Sequence, residues 1–446
     1  MTGRSYCVVG GGISGLIAAC RLRIAFGDDA AITLFEPADR LGGILRTQCI
    51  AGQPMDVGAE AFLLRRPEMP ALLAELGLAD RQIATTGARP LIYCDGALHP
   101  VPSGTVVGIP GSANAVADLV DDAALARIDA ESARPLPWQP GADPSVASLV
   151  VDRFGEQVVA RSIDPLLSGV YAGSAATIGM RAAAPGVAAA LDHGAASLTE
   201  AVRQSLPAVT GAPIFGAIDG GYQVLLDELF DRARPRWVRA AVRRLERSGE
   251  RGWSLRDDTG TSWFADAVVL AVPAPQVARL AAEVAPATAA AAGEVVNASS
   301  VVLALAVPVD TGFPQCSGIL VASGESLHSK AITLSSRKWG VRGDVQLLRL
   351  SFGRLGDDLA ATATDSELRA WAIEDLATVF GLQITPVDVV VQRWLEAMPQ
   401  YGPGHSDLVE RIRAGLPPGL AVAGSFLDGI GVPACIAAAG RAVATL

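Results

Sequence analysis

Three glycines with an acid behind them are the first residues in this chain whose types and spacing can do chemistry. Gly10-x-Gly12-x-x-Gly15 follows the apolar run Ser5–Val9 and opens a stripe of Ile13, Leu16, Ile17 and Cys20 at helical spacing. A second apolar run, Ala31–Phe35, ends on Glu36, at the spacing of about 20 residues that sets a carboxylate against a ribose. Each glycine has its own reason. Gly10 permits a tight turn, Gly12 lets a pyrophosphate approach the backbone, and Gly15 lets helix lie on strand. The positive end of the helix then faces the phosphates. A plain glycine turn would account for the triplet but not for the whole strand–turn–helix–strand–acid unit. The unit predicts a dinucleotide site at Gly10, Gly11, Gly12, Ile13, Ser14, Gly15 and Glu36. Glu36 would repel a 2′-phosphate, which disfavours NADP.

Three features choose FAD over NAD. Arg40-Leu41-Gly42-Gly43 follows the acid at once, and such a turn can bring a guanidinium and backbone amides to a pyrophosphate. Gly58-Ala59-Glu60 offers a second close approach. Near the end, Gly424 and the run DGIGVP at 428–433 precede a helix, so another group of backbone N–H donors could face a ligand. No second glycine triplet has a strand before it and an acid after it. A nicotinamide domain is therefore not evident. The substrate itself is expected to reduce the flavin, and an external acceptor to reoxidise it.

The elements that must position these residues can be read more coarsely. A length of 446 residues suggests three domains or two large interleaved lobes. A helix is expected over 67–83. A hairpin is expected at 91–93 and 97–99 around Asp95-Gly96. From about 100 to 210 the texture is helical, with Asp143-Pro144 as a helix start. Gly220-Gly221-Tyr222 opens another helix, strands follow at 237–245, 253–256 and 262–272, and a last strand at 420–423 precedes the final helix. A net charge of −10 argues against a nucleic-acid partner but leaves room for a local basic pocket. The six cysteines and four histidines are scattered without metal-ligand spacing, so no metal is expected. The start lacks a signal peptide's cleavage-type ending. No apolar stretch is long enough for a transmembrane segment; the closest, 265–293, is broken by Asp266, Pro273, Pro275, Arg279 and Glu283. A cytoplasmic protein, at most membrane-peripheral, is expected.

The same glycine and acid motifs, with Gly220-Gly221-Tyr222-Gln223-Val224-Leu225, resemble the amine oxidase-like flavoprotein superfamily. Three further strings resemble one branch of it. They are Leu166-Leu167-Ser168-Gly169-Val170-Tyr171-Ala172-Gly173; Arg393-Trp394 with Met398-Pro399-Gln400-Tyr401 and His405; and Gly429-Ile430-Gly431-Val432-Pro433 with Cys435-Ile436. With Leu98-His99-Pro100-Val101-Pro102 they are similar to the oxygen-dependent protoporphyrinogen and coproporphyrinogen oxidases of haem synthesis, in their soluble bacterial form. The resemblance runs from the first strand to the last helix.

It implies an α/β plus α+β fold. A Rossmann-type FAD-binding domain would come from discontinuous segments (1–66, 211–275, 411–446), a mixed-sheet substrate domain from 67–100 and 276–410, and an inserted helical domain from 101–210. It implies conversion of coproporphyrinogen III to coproporphyrin III in three two-electron steps, with O2 reduced to H2O2 and a ferrochelatase as a transient partner. The alternatives are protoporphyrinogen IX oxidation, an amine oxidase or desaturase, and a flavin- or tetrapyrrole-binding protein without turnover. The FAD contacts carried over include Pro37, Ile44, Gly58, Ala59, Glu60, Ala61, Val242, Trp394, Val432, Pro433 and Ala434, beside Arg40, Gly42 and Gly43. Ile44 departs from the basic residue common after the Gly-Gly pair, and Ala434 from a more polar one. Flavin chemistry demands no acid–base pair, and no catalytic residue is named. Four propionates on the substrate call for cations, preferably arginine. The candidates are Arg65, Arg66, Arg89, Arg337 and Lys338.

Overall fold

The computed structural model describes residues 4–207, 211–249 and 252–446. Its organising element is a five-stranded, all-parallel sheet. The strand order is Arg236–Val238, Ala31–Phe35, Ser5–Val9, Ala267–Leu270, Leu420–Val422. Both faces are covered, which is why the central strands are nearly unbroken runs of apolar residues. On one face lie the helices Ile13–Phe26, Tyr222–Ala233 and Val432–Ala444, packed through Leu16, Leu225, Leu229 and Ile436. On the other, Val9, Val268 and Leu270 meet Trp253, Leu255 and the helix Ala274–Ala281. The stripe read at Ile13, Leu16, Ile17 and Cys20 is buried, and so are Ala18 and Ala19, because this helix is packed on more than one side. At Ser5–Val9 the neighbouring strands come from opposite directions along the chain. This reversal of strand order opens a crevice at the strands' carboxyl ends.

The second unit is a seven-stranded mixed sheet ordered Asp388–Pro399, Asn297–Pro308, Val345–Phe352, Ala331–Thr333, Gly318–Val321, Leu91–Cys94, Ala97–Pro100. Only Gly318–Val321 and Leu91–Cys94 pair in parallel. The hairpin at Asp95-Gly96 forms as expected, with φ of 51° and 71°, the left-handed pair a two-residue turn requires. One face of the sheet packs Leu303, Leu348 and Leu350 against the helix Asp365–Phe380, whose start is set by a Thr364–Glu367 capping box. The other face meets the nucleotide half. There Val302, Ala304 and Leu347 pack on Ile50, Met55 and Val57 from the hairpin Thr47–Ile50/Gln53–Asp56.

Residues between about 113 and 205 form helices with a core around Val150, Phe154, Ile163 and Leu198 that also takes in Ile92, Cys94 and Ala322 of the mixed-sheet unit. Inside it Arg153, 1% exposed, donates to Glu131 at 2.9 Å. Glu131 also accepts from Leu198 N and from the Thr199 hydroxyl, so both buried charges are satisfied.

Several sequence expectations need correction. The helix expected at Asp143-Pro144 starts at Val146 with Ser145 as its cap, and Asp143 instead accepts from the backbone N–H groups of Arg181 and Gly404. The strand expected at 237–245 is two, Arg236–Val238 in the parallel sheet and Val242–Ser248 in a separate antiparallel one. The boundary after residue 66 falls too early. Helix Glu68–Glu75 buries Met69, Leu72 and Leu73 in the nucleotide core, and the mixed sheet begins only at Leu91. Among the described residues no helix is long and apolar enough to cross a membrane. One group of side chains there, Cys94, Asp95 and Glu325, comes within metal-ligand reach, and Arg161 already pairs with Asp95.

Candidate active site between the two sheets

The glycine turn closes at the end of Ser5–Val9. A Cβ on Gly15 would stand 1.8 Å from Gly10 O, and one on Gly10 (φ 109°) would stand 2.3 Å from Ala271 O. These two positions therefore need glycine. Gly12 differs: the nearest atom to its missing Cβ is Gly43 Cα, 3.8 Å away. Gly12 and Gly42 bridge in parallel, and Gly42 N donates to Gly11 O at 2.8 Å, so the second glycine turn lies against the first. Helix Ile13–Phe26 has no side-chain cap, and neither does Val432–Ala444. The first helix start thus keeps backbone donors open; at the second, Pro433 lacks an N–H and Ala434 N and Cys435 N both turn to Gly431 O, which leaves Val432 N. A cradle of backbone made by two abutting glycine turns, beside uncapped helix starts, fits a phosphorylated cofactor. Glu36, at the end of Ala31–Phe35, accepts from Gly11 N at 2.9 Å and from Ala38 N. Pro37 beside it is exposed. Val242 packs beside the cluster that holds Phe35.

Two predicted cofactor side chains point elsewhere. Arg40 folds back on its own loop, donating to the carbonyls of Leu41, Gly43 and Leu45. It stiffens the second glycine turn rather than reaching out. Glu60 accepts from Ser335 Oγ and Lys338 Nζ, both at 2.8 Å. Burial alone would raise its carboxyl, but Lys338, Arg349 and Ser335 outweigh it and hold it near about 2. Asp56, four residues earlier, behaves in the opposite way. It accepts from Thr47 Oγ1 and Tyr222 N, yet burial pushes it up to about 6.

Gly58 sits between these acids with Ile44 O directly against it: a Cβ there would be 1.8 Å from that oxygen and 3.2 Å from the Trp394 ring. This carbonyl contact is what Ile44 contributes, in place of a basic side chain. Trp394 Nε1 donates to Val57 O at 2.9 Å, and Arg349 Nη1 donates to Asp56 O at 3.0 Å. Two neighbouring carbonyls of one loop are thus held by side chains from two strands of the mixed sheet. Ala59 and Ala61 are half-buried along the same loop.

The three strings distant in sequence come together. Gln400 Nε2 donates to Tyr171 O at 2.7 Å, and the rings of Tyr171 and Tyr401 lie 5.6 Å apart. Tyr401 packs on His405 at 4.2 Å, and His405 Nε2 meets Leu427 O at 3.2 Å, just before the 429–436 string. Helix Asp164–Tyr171 ends on Ala172 in the left-handed region, φ 51°, with Ala172 O accepting from Leu355 N.

The cations proposed for the substrate fare less well. Arg66 is held by Glu68 through two hydrogen bonds. Lys338 is committed to Glu60, and Arg337 Nη2 turns to Phe313 O at 3.4 Å. Arg65 and Arg89 are exposed, and no ion pair of either occurs among the described residues. Sequence reasoning missed Arg349, which carries no motif, and Lys330. The latter is 3% exposed and bonds Ser300 Oγ and Gly353 O; burial, with Arg354 nearby, brings it down to about 7.

With this geometry in view, the chain can be compared with known proteins. The profile of the family "Flavin containing amine oxidoreductase" matches residues 13–446, and the chain belongs to that family; its cofactor is a flavin. Among its relatives, the coproporphyrinogen III oxidase of Mycobacterium tuberculosis is 72% identical over 446 residues, covering 100% of this chain and 98% of that one. The protein of the same name from Bacillus subtilis is 27% identical, covering 96% and 95%. A crystal structure from Exiguobacterium sp. 255-15 with a provisional protoporphyrinogen oxidase name superposes with a TM-score of 0.88 at 27% identity, covering 100% and 98%. Cyclohexylamine oxidase from Brevibacterium oxydans, at 16% identity and a TM-score of 0.70 over 99% and 98%, shares the fold.

Proposed function

We propose that this protein is an FAD-dependent oxidase that converts coproporphyrinogen III to coproporphyrin III in haem synthesis. The observation that carries the reading is 72% identity, along the whole chain, to relatives bearing that activity in their name. The convergence of the 166–173, 393–405 and 429–436 strings beside one glycine cradle supports it.

FAD, rather than a smaller flavin, suits a crevice that has both two abutting glycine turns at Gly12 and Gly43 and an acid at the end of the second strand. Residues 10–15, Glu36, Pro37, Gly42, Gly43, Ile44, 58–61, Val242, Trp394 and 432–434 would hold it. When bound, it supplies the two-electron acceptor for three successive oxidations, with dioxygen carrying the electrons on to hydrogen peroxide. The substrate loses six hydrogens in all, and three O2 become three H2O2. The chain's part is to bind, orient and exclude water. Trp394 and Arg349 fix the loop at Asp56–Gly58 against the mixed sheet, and Gln400 fixes the end of helix Asp164–Tyr171. The parallel-sheet unit serves as the FAD domain, the mixed sheet as the substrate domain, and the helices of 101–210 as an inserted third. A cytoplasmic location and product transfer to a ferrochelatase complete the reading.

The test is to mix anaerobically prepared coproporphyrinogen III and protoporphyrinogen IX, separately, with the purified yellow protein in air. Porphyrin fluorescence reads kcat/KM for each. Preference for the first is expected. Preference for the second would move the enzyme to the protoporphyrin route, and amine oxidation with no porphyrin formed would overturn the class.

A further inference from the structure

Residues paired across a sheet point to the same side, so the strand registers show what the mixed sheet offers to the flavin half. Ser300, Val302, Ala304, Arg349, Ser351, Ala331, Thr333 and Leu320 share one face. At one end this face is sealed by Met55 and Val57 from the flavin side. At the other it is sealed by the helices: Leu320 packs on their core, and a Cβ on Gly169 would lie 3.7 Å from Leu320 Cδ2. Between the two seals, Ala331, Thr333, Arg349 and Ser351 are only half-buried, although the opposite faces of their strands are fully covered. This is a slot where three parts of the fold meet, floored by the half-buried side chains of Ala331, Thr333 and Ser351.

Arg349 is the one charged side chain that Gly318–Val321, Ala331–Thr333 and Val345–Phe352 place on this face. Its Nη1 is used on Asp56 O, but its Nε is buried without a partner. Glu60 is close enough to feel its charge, yet both oxygens of that carboxylate are taken, by Ser335 and by Lys338. The Asp56 carboxylate is taken by Thr47 and Tyr222. With one donor bonded to Asp56 O and its Nε unpartnered, Arg349 is the cation that an anionic ligand in the slot would meet.

We infer that Arg349 is a specificity-determining residue that binds a carboxylate of the substrate in this slot. The inference rests on the reading of the protein as a porphyrinogen oxidase. It takes that role from Arg66 and Lys338, each of which holds a carboxylate within the chain; Arg337, whose Nε is likewise buried without a partner, lies on the helix Ser335–Trp339 and not on these strands. The charge lies at the flavin-side edge of the slot, so a propionate held there would fix the macrocycle's rotation relative to Trp394 and Gly58.

The experiment uses holoenzyme carrying Arg349→Met or Arg349→Lys. Coproporphyrin III binding is read by porphyrin fluorescence, and turnover of coproporphyrinogen III is measured in parallel. Arg349→Met should weaken binding and raise KM by about tenfold or more, with kcat changed less and most of the flavin retained, since Trp394 still holds the loop through Val57 O. Arg349→Lys should recover part of the loss. The tetramethyl ester of coproporphyrin III keeps the ring and loses the charge, so it should bind wild type and Arg349→Met alike. Binding of the free acid within twofold of wild type in Arg349→Met would overturn the inference. Equal weakening of acid and ester would overturn it too, as would loss of flavin, because both mark a structural role. If wild type turns over coproporphyrinogen III while Arg349→Met keeps its KM, only this assignment fails. If wild type neither oxidises coproporphyrinogen III nor binds its porphyrin, both readings fail.

Discussion

The glycine cradle and the slot over the mixed sheet adjoin one another and are built by opposite means. The cradle is made of backbone. Its residues matter for what they lack, since Gly15 and Gly10 have carbonyl oxygens where a Cβ would stand, and its one acid, Glu36, ties the first glycine turn to the second strand. The slot is made of side chains from separate strands, and its charges are sorted by partner: Glu60 with Lys338, Asp56 with Thr47 and Tyr222, Arg349 with a single carbonyl. A backbone site tolerates changes of polarity and fails on one added carbon. A side-chain site tolerates volume and fails on charge.

The comparison can be broken most severely at Gly15. In Gly15→Ala the new carbon meets backbone, which cannot rotate away as a side chain could. Flavin bound per mole of protein should fall by at least about tenfold, or the protein should fail to fold. A yellow, stable Gly15→Ala protein would show that the turn relaxes and that the cradle is not rigid.

The next effect sharpens the slot side through pH. Asp56 sits at about 6 when folded, above its ordinary 3.8. Between these values the folded chain keeps a proton that the unfolded chain has released, so stability falls as pH rises through this window, by up to about 3 kcal/mol. Asp56→Asn should abolish that fall. Glu60 has the opposite sign. Its folded value of about 2 lies below 4.5, so its stabilisation is complete above 4.5 and is lost as pH drops toward 2. Glu60→Gln should flatten the acid limb. Urea midpoints measured from about pH 3 to 7 separate the two; slopes of the same sign in both variants would contradict the assignment.

A smaller effect is expected where the two regions touch. Trp394→Phe keeps most of the ring and loses the bond to Val57 O, a cost of about 1 kcal/mol. Flavin should dissociate about fivefold faster under dilution, followed by the rise of free-flavin fluorescence. The smallest is at Arg66, held at the surface by its own neighbour Glu68. Arg66→Ala should change stability by no more than about 0.5 kcal/mol, and the KM for coproporphyrinogen III by less than about twofold.

The cradle was legible because its reasons are local. A turn that needs φ of 109° at Gly10 writes itself as glycine, and an acid ending a strand keeps its spacing. The hairpin at Asp95-Gly96 and the helix after Gly221 were legible for the same reason. The slot was not. Arg65 and Arg66 stand just after the 58–61 loop in sequence and Arg337 stands with Lys338, but position in the chain says nothing about which carboxylate lies within reach. Arg349 sits alone in an apolar run, and nothing around it in sequence marks it as facing an opening. Arg40 was misjudged for a related reason. The loop's own carbonyls compete for a guanidinium, and only the folded loop shows that they win.

By itself, the sequence determined the nucleotide unit, the class of cofactor it suits and, through three strings, the branch of proteins it resembles. These features depend on residues close in the chain, or on strings long enough to be specific. Tertiary structure alone decided which charges are spent and which are free. Glu60 lies 278 positions from Lys338, and Asp56 lies 166 from Tyr222. Whether a buried charge is satisfied depends on distances of about 3 Å between atoms that the order of residues does not place.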